Sequence, residues 1–74
     1  MRIVIQPTDG KGSLVAESEL RYAMQVLRTA SILVAGGGIV GHAGEWVGVI
    51  LLRSEADSAR ALEALAGVNI KASA

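Results

Sequence analysis

The order in which helical and strand-like apolar patterns follow one another most constrains the fold of this chain. Residues 14–28 are predicted to form a helix, because their apolar side chains recur at i, i+3, i+4 and i+7. This stripe consists of Leu20, Ala23, Met24 and Leu27. Arg28, in the last turn, suits the helix dipole. A second helix is predicted over 55–66, with Ser54 as its N-cap and Gly67 as its left-handed stop.

Short β-rich runs surround these two helices. They lie at 3–5, 31–35, 46–52 and 68–73. Residues 36–44 hold five of the nine glycines and are predicted to form a loop or tight hairpin between the second and third strands. The resulting order, βαββαβ, is that of a ferredoxin-like α+β fold. We therefore expect a four-stranded antiparallel sheet in the spatial order 4-1-3-2, with two helices on one face.

The length of the chain fits a single domain over 1–74. A domain this short buries only about 60% of its unfolded surface, so its stability as a monomer is marginal. The third predicted strand is apolar on both sides. One side carries Trp46, Ile50 and Leu52, and the other carries Val47, Val49 and Leu51. Because both helices cover the same face of the sheet, the open face marks an interface, and we expect a homodimer or higher homo-oligomer through sheet faces or edges.

Composition excludes several classes of function. Seven Lys and Arg residues balance seven Asp and Glu residues, so no charge footprint for nucleic acid or an anionic membrane is present. Cysteine is absent, and the single histidine, His42, has no second ligand at metal spacing, so neither a metal nor a cofactor is expected. No apolar stretch is long enough for a signal peptide or a membrane span. We therefore expect a cytoplasmic protein without direct membrane insertion.

The segment Gly36-Gly37-Gly38-Ile39-Val40-Gly41 matches the dinucleotide-binding pattern G-x-G-x-x-G. That pattern requires a long helix after its third glycine, whereas a strand is predicted from Trp46. Two interpretations remain. The glycines form a flexible hairpin, or they form a binding loop whose backbone N–H groups hold a carboxylate or phosphate.

A second glycine-containing loop, with Asp9, Gly10 and Gly12, leads directly into the first helix. Backbone amides at a helix N-terminus favour anions, although a plain turn explains the same residues. The loop lacks the full G-x-x-x-x-G-K-[ST] pattern of a phosphate-binding loop. No paired carboxylates, nucleophile elbow or Ser/His/Asp set is present, so the chain is not expected to be an enzyme.

Three segments together resemble the NIL domain. They are Ser-Ile-Leu-Val-Ala-Gly-Gly-Gly-Ile at 31–39, Gly-Glu-Trp-Val-Gly-Val-Ile-Leu-Leu at 44–52, and the end of the second predicted helix, Ala-Leu-Glu-Ala-Leu at 61–65, followed by Ala-Gly-Val-Asn-Ile at 66–70. The family has an Asn-Ile-Leu start to its second strand, where this chain has Ser31. The NIL domain is about 75 residues long, which matches the length of the whole chain. The wider resemblance is to ACT-like and P-II-like regulatory domains, which share the βαββαβ order.

This resemblance implies a small regulatory domain without catalytic residues. NIL and ACT domains bind amino acids, and P-II-like proteins bind nucleotides between subunits. Carried onto this chain, the resemblance indicates a ligand site formed by Asp9, Gly10, Gly12, Gly36, Gly37 and Gly38. Because few basic residues lie near these loops, an amino acid at a subunit interface is favoured over a nucleotide. The alternatives are a P-II-like nucleotide-binding signalling protein and a ligand-free oligomerisation or protein-interaction module.

Overall fold

The computed structural model describes residues 2–6, 12–42 and 44–74. The strands are β1 (Arg2–Ile5), β2 (Val34–His42), β3 (Glu45–Leu52) and β4 (Ala72–Ser73). The helices are α1 (Ser13–Thr29) and α2 (Ser58–Ala66), and a 3₁₀ turn at Glu55–Asp57 leads into α2. The predicted element order is therefore confirmed. No helix in the described part of the chain is long and apolar enough to cross a membrane.

The four strands form one antiparallel sheet in the order β2-β3-β1-β4. Read from the other edge, this is the predicted order 4-1-3-2, so the α+β, ferredoxin-like fold is confirmed. The two edges differ in length, because β2 has nine residues and β4 has two. The sheet thus has one long unpaired edge, along β2.

One side of the sheet forms the core, and both helices pack on that side. Its fully or nearly fully buried residues come from β1 and β3 (Ile3, Ile5, Ile50, Leu52), from α1 (Leu20, Ala23, Leu27) and from α2 (Ala61, Leu65). The predicted stripe of the first helix is confirmed, with Met24 half-buried at its margin. Burial of each large apolar side chain contributes about 1.5–3 kcal/mol, so this cluster is the main source of stability.

The turn after α1 fixes where the second strand begins. Ser31 has a φ of 62°, in the left-handed region. Its amide donates to the carbonyl of Arg28 at 3.0 Å, and the amide of Ile32 donates to the carbonyl of Leu27 at 2.9 Å. This pair of hydrogen bonds is a Schellman motif. The predicted strand at 31–35 is therefore wrong in its bounds, because its first residues close the helix and β2 begins at Val34.

The turn after α2 follows the same pattern. Asn69 has a φ of 63°, and its amide donates to the carbonyl of Ala66 at 3.0 Å. Gly67 is still right-handed, with a φ of −62°, so the predicted left-handed stop is two residues too early. The final strand predicted over 68–73 is reduced to β4 for the same reason, since its first residues form this turn.

The predicted glycine loop at 36–44 is wrong over most of its length, because β2 extends to His42 and pairs with β3. A Cβ atom at Gly37 would lie 3.0 Å from the carbonyl oxygen of Val49 and 3.3 Å from the sulfur of Met24. Glycine in a strand often marks such a close approach. Gly37 therefore reflects the packing of α1 onto the sheet rather than a turn.

Candidate functional site

The residues predicted to bind a ligand fall into separate regions. Asp9 and Gly10 lie outside the described residues. Gly12 is the N-cap residue of α1, and its carbonyl accepts a hydrogen bond from the amide of Ala16 at 3.2 Å. Gly36, Gly37 and Gly38 lie side by side in β2, opposite β3.

The structure does not bring Gly12 close to the three glycines of β2. Met24 lies directly over Gly37, and Met24 is twelve positions along the chain from Gly12. At 1.5 Å per residue, this corresponds to about 18 Å along the helix axis. The glycines also differ in the side of the sheet that they face. Gly37 faces α1, whereas Cβ atoms at Gly36 and Gly38 would meet no atom within 4 Å.

A groove between the C-terminal half of α1 and the start of β2 contains one of the predicted residues, Gly36. One wall is formed by Met24 and Arg28 of α1, and the other by residues 32–36. Its volume is about 410 Å³, within the usual range of small-molecule sites. The Schellman turn at Ser31 creates it, because the chain reverses there and runs back beside the end of α1.

Among the described residues, Arg28 gives this groove its only charged side chain. Arg28 is exposed, and the described residues provide it with no ion-pair partner. The carboxylates of Glu17 and Asp57 are instead bound by Arg21 and Arg60, at 2.7 and 3.2 Å. A planar guanidinium binds a carboxylate through two parallel hydrogen bonds. The groove therefore combines a carboxylate-binding group with an apolar wall.

The backbone of β2 supplies further hydrogen-bonding groups beside Arg28. The amide of Arg53 donates to the carbonyl of Leu33 at 3.3 Å, so these two residues face each other across the β2–β3 ladder. Antiparallel alternation then directs the N–H and C=O groups of Val34 away from β3, toward the outer edge. A β-bulge follows, because the register shifts between Val34 and Gly36. The groove is thus bordered by an unpaired edge.

Two other grooves are less suited to an anionic ligand. The one at Leu14, Glu17, Ser18 and Arg21 is smaller, about 280 Å³, and its arginine is already paired with its glutamate. The one between α2 and β4, about 440 Å³, has Lys71 among its lining residues, and a lysine ammonium is a point charge without the planar fork that binds a carboxylate through two hydrogen bonds. The groove beside Arg28 is therefore the candidate site.

The contribution of Arg28 was not foreseen from the sequence, where it was assigned only to the helix dipole. Its spacing of four residues from Met24 places both side chains on one helix face, which is the signal that could have indicated a shared wall. The described residues contain no group of three or more His, Asp or Glu side chains that could hold a metal ion. Comparisons of this chain with family models, with curated proteins and with solved structures find no significant match.

Proposed function

We propose that this chain is a small regulatory domain that binds an amino acid with an apolar side chain, without catalysing a reaction. The observation that carries the proposal is the unpaired guanidinium of Arg28 beside the apolar groove at the edge of β2. A cytoplasmic location is part of the proposal. The resemblance to NIL and ACT-like domains supports it from the sequence.

The groove offers a partner for each part of such a ligand. Arg28 binds the carboxylate as a bidentate pair. The outward-directed carbonyl of Val34 accepts a hydrogen bond from the ammonium group. Met24, which has a flexible and polarisable side chain, contacts the apolar side chain of the ligand. Leu33 lines the same groove and is 65% exposed, so its apolar side chain is accessible to the ligand or, at a subunit interface, to a second chain.

A nucleotide is the second candidate ligand, following the P-II-like resemblance. A di- or triphosphate needs several cationic or N–H donors, whereas Arg28 is the single cation among the described residues that line the groove. The charge of the groove therefore favours one carboxylate over several phosphates.

Thermal denaturation with a panel of the twenty amino acids and common nucleotides tests the proposal. An amino acid at ten times its Kd is expected to stabilise the fold by about 1.4 kcal/mol. For a domain of this size, that raises Tm by about 6–11 °C. Arg28→Gln should abolish the shift while leaving the Tm of the unliganded protein within about 4 °C, because surface substitutions usually change stability by less than about 0.5 kcal/mol.

Arg21→Gln is the matched control, since Arg21 lies on the same helix outside the groove. It should retain the ligand-dependent shift. A shift with nucleotides alone would favour the P-II-like alternative. The absence of a shift with every compound, in a protein that still forms an oligomer, would contradict ligand binding and favour the interaction module.

A further inference from the structure

The side of the sheet opposite the helices carries an apolar surface, which we call the open face. It consists of Val4, Val40, Val47, Val49 and Leu51, together with Gly36 and Gly38, and it carries the exposed Arg2 opposite Leu51, at the same end of the face as Arg53. These residues alternate along their strands with residues on the core side. Val40 is 50% exposed and Leu51 is 45% exposed. In the described part of the chain, both helices lie on the other side, so the open face has no cover.

The charges at the two ends of β3 have opposite signs. On the open face, this strand carries Glu45, Val47, Val49, Leu51 and then Arg53. The hydrogen bond from the Arg53 amide to Leu33 keeps the backbone beside β2 one residue beyond the end of β3, so the alternation continues to Arg53. Glu45 and Arg53 are both exposed, and neither has an ion-pair partner among the described residues. Each lies four residues from Val49.

This arrangement is complementary to itself under a two-fold rotation. If two open faces meet with their β3 strands antiparallel and Val49 on the axis, Glu45 of each copy faces Arg53 of the other. The side chains of the two facing β2 strands also fit together in this register. Gly38 pairs with Val49, and Gly36 and Val40 lie two residues to either side of Gly38, so the valine of one copy faces the glycine of the other.

The geometry points to a second copy of this chain as the occupant of the open face, in this antiparallel register. Packed sheets lie about 10 Å apart, with strands within about 30° of each other, so the long Glu and Arg side chains span the gap. A second copy carries the same charges at 45 and 53 and the same small and large residues at 36 and 40, so it complements the open face on both counts. This inference goes beyond the proposed ligand site, which lies on the helix side of β2.

The size of the open face sets the expected strength of the dimer. The four strands contain 4, 9, 8 and 2 residues, which at about 3.3 Å per residue and about 4.8 Å between strands give a face of about 360 Å². Two such faces bury about 730 Å², below the roughly 1,000 Å² of a stable specific interface. We therefore expect a weak, reversible dimer, whose population rises with concentration across the upper micromolar range.

Sedimentation velocity over a concentration series tests the inference with charge-reversal variants. Glu45→Arg makes both ends of β3 positive, and Arg53→Glu makes both ends negative. Because the two-fold axis repeats each contact, either variant alone should raise the dimer dissociation constant about tenfold or more. An equimolar mixture of the two variants should recover the dimer, and so should the double variant E45R/R53E. Glu63→Arg, an equal charge change at an exposed position of α2, should dimerise as the parent does.

Three outcomes would overturn the inference. They are a parent protein that stays monomeric through the micromolar range, a Glu45→Arg variant that dimerises as well as the parent, and a mixture that does not recover association. Far-UV circular dichroism on each variant verifies that the fold is kept. The Arg28→Gln variant should dimerise normally, so a failure of the ligand proposal and a failure of the dimer remain distinguishable.

Discussion

Gly37→Ala is expected to destabilise this fold, although alanine usually replaces glycine in a strand without loss. The new Cβ atom would lie 3.0 Å from the carbonyl oxygen of Val49 and 3.3 Å from the sulfur of Met24. Met24 has a flexible side chain that can move, whereas the carbonyl belongs to the β2–β3 ladder and cannot move without breaking it. The methyl group therefore forces the strand or α1 outward.

The expected magnitude comes from two opposing effects. Overpacking of a well-packed region costs about 1–3 kcal/mol. Replacing glycine by alanine restricts the unfolded chain and returns about 0.4–1 kcal/mol. The net loss is up to about 2.6 kcal/mol in the free energy of unfolding, with a central value of about 1.3 kcal/mol, and each kcal/mol lowers Tm by about 4–8 °C in a domain of this size.

Gly41→Ala is the matched control for this prediction. Gly41 lies on the same strand and the same side of the sheet, and a Cβ atom there would meet only the ring of Trp46 at 3.9 Å, an ordinary contact. This variant should be as stable as the parent or slightly more stable. Urea denaturation followed by far-UV circular dichroism compares the three proteins without relying on Trp46 fluorescence. If Gly37→Ala is as stable as Gly41→Ala, the argument from close packing is refuted.

Two further substitutions test the turn after α1 and the core. Ser31→Gly should raise the free energy of unfolding by up to about 1 kcal/mol, because Ser31 has a left-handed φ of 62° that glycine adopts without strain; a loss of stability in thermal denaturation would contradict this. Leu27→Ala should lower the free energy of unfolding by about 2–5 kcal/mol, since Leu27 is fully buried. Leu14→Ala, at a position 81% exposed, should change it by less than about 0.5 kcal/mol, and equal effects of the two would refute the assigned core.

The element order could be predicted from the sequence because it depends on local periodicity. The buried stripe of α1 and the β-branched runs of β1 and β3 each indicate their element without knowledge of the partners. The bounds of β2 could not be predicted in this way. Its glycines have low intrinsic strand preference, and they form a strand because β3 supplies a ladder and α1 requires a close approach at Gly37. Tertiary contact, rather than local preference, determines this segment.

The candidate site shows the same limit. Gly36 is among the predicted residues and lines the groove, but the binding loop in which it is expected is a strand, β2. Arg28 becomes a groove residue only because the turn at Ser31 brings residues 32–36 back beside α1. A contact between residues on the two sides of a turn depends on the direction in which the chain leaves it. Serine rarely adopts the left-handed conformation, so the sequence does not indicate that the chain turns at Ser31.

The three consecutive glycines of β2 have different roles on the two sides of the strand. On the core side, Gly37 lets α1 approach, and the closeness of the helix brings Arg28 to the edge of the sheet. On the open face, Gly36 leaves space without a side chain, which is where Val40 of the second copy fits in the proposed register. Substitutions at Gly37 should therefore alter stability, whereas substitutions at Gly36, where a Cβ atom would meet no other atom within 4 Å, should alter association and leave the core intact. Separating these two effects by variants of adjacent residues would show that the glycine segment serves packing on one side and dimer formation on the other.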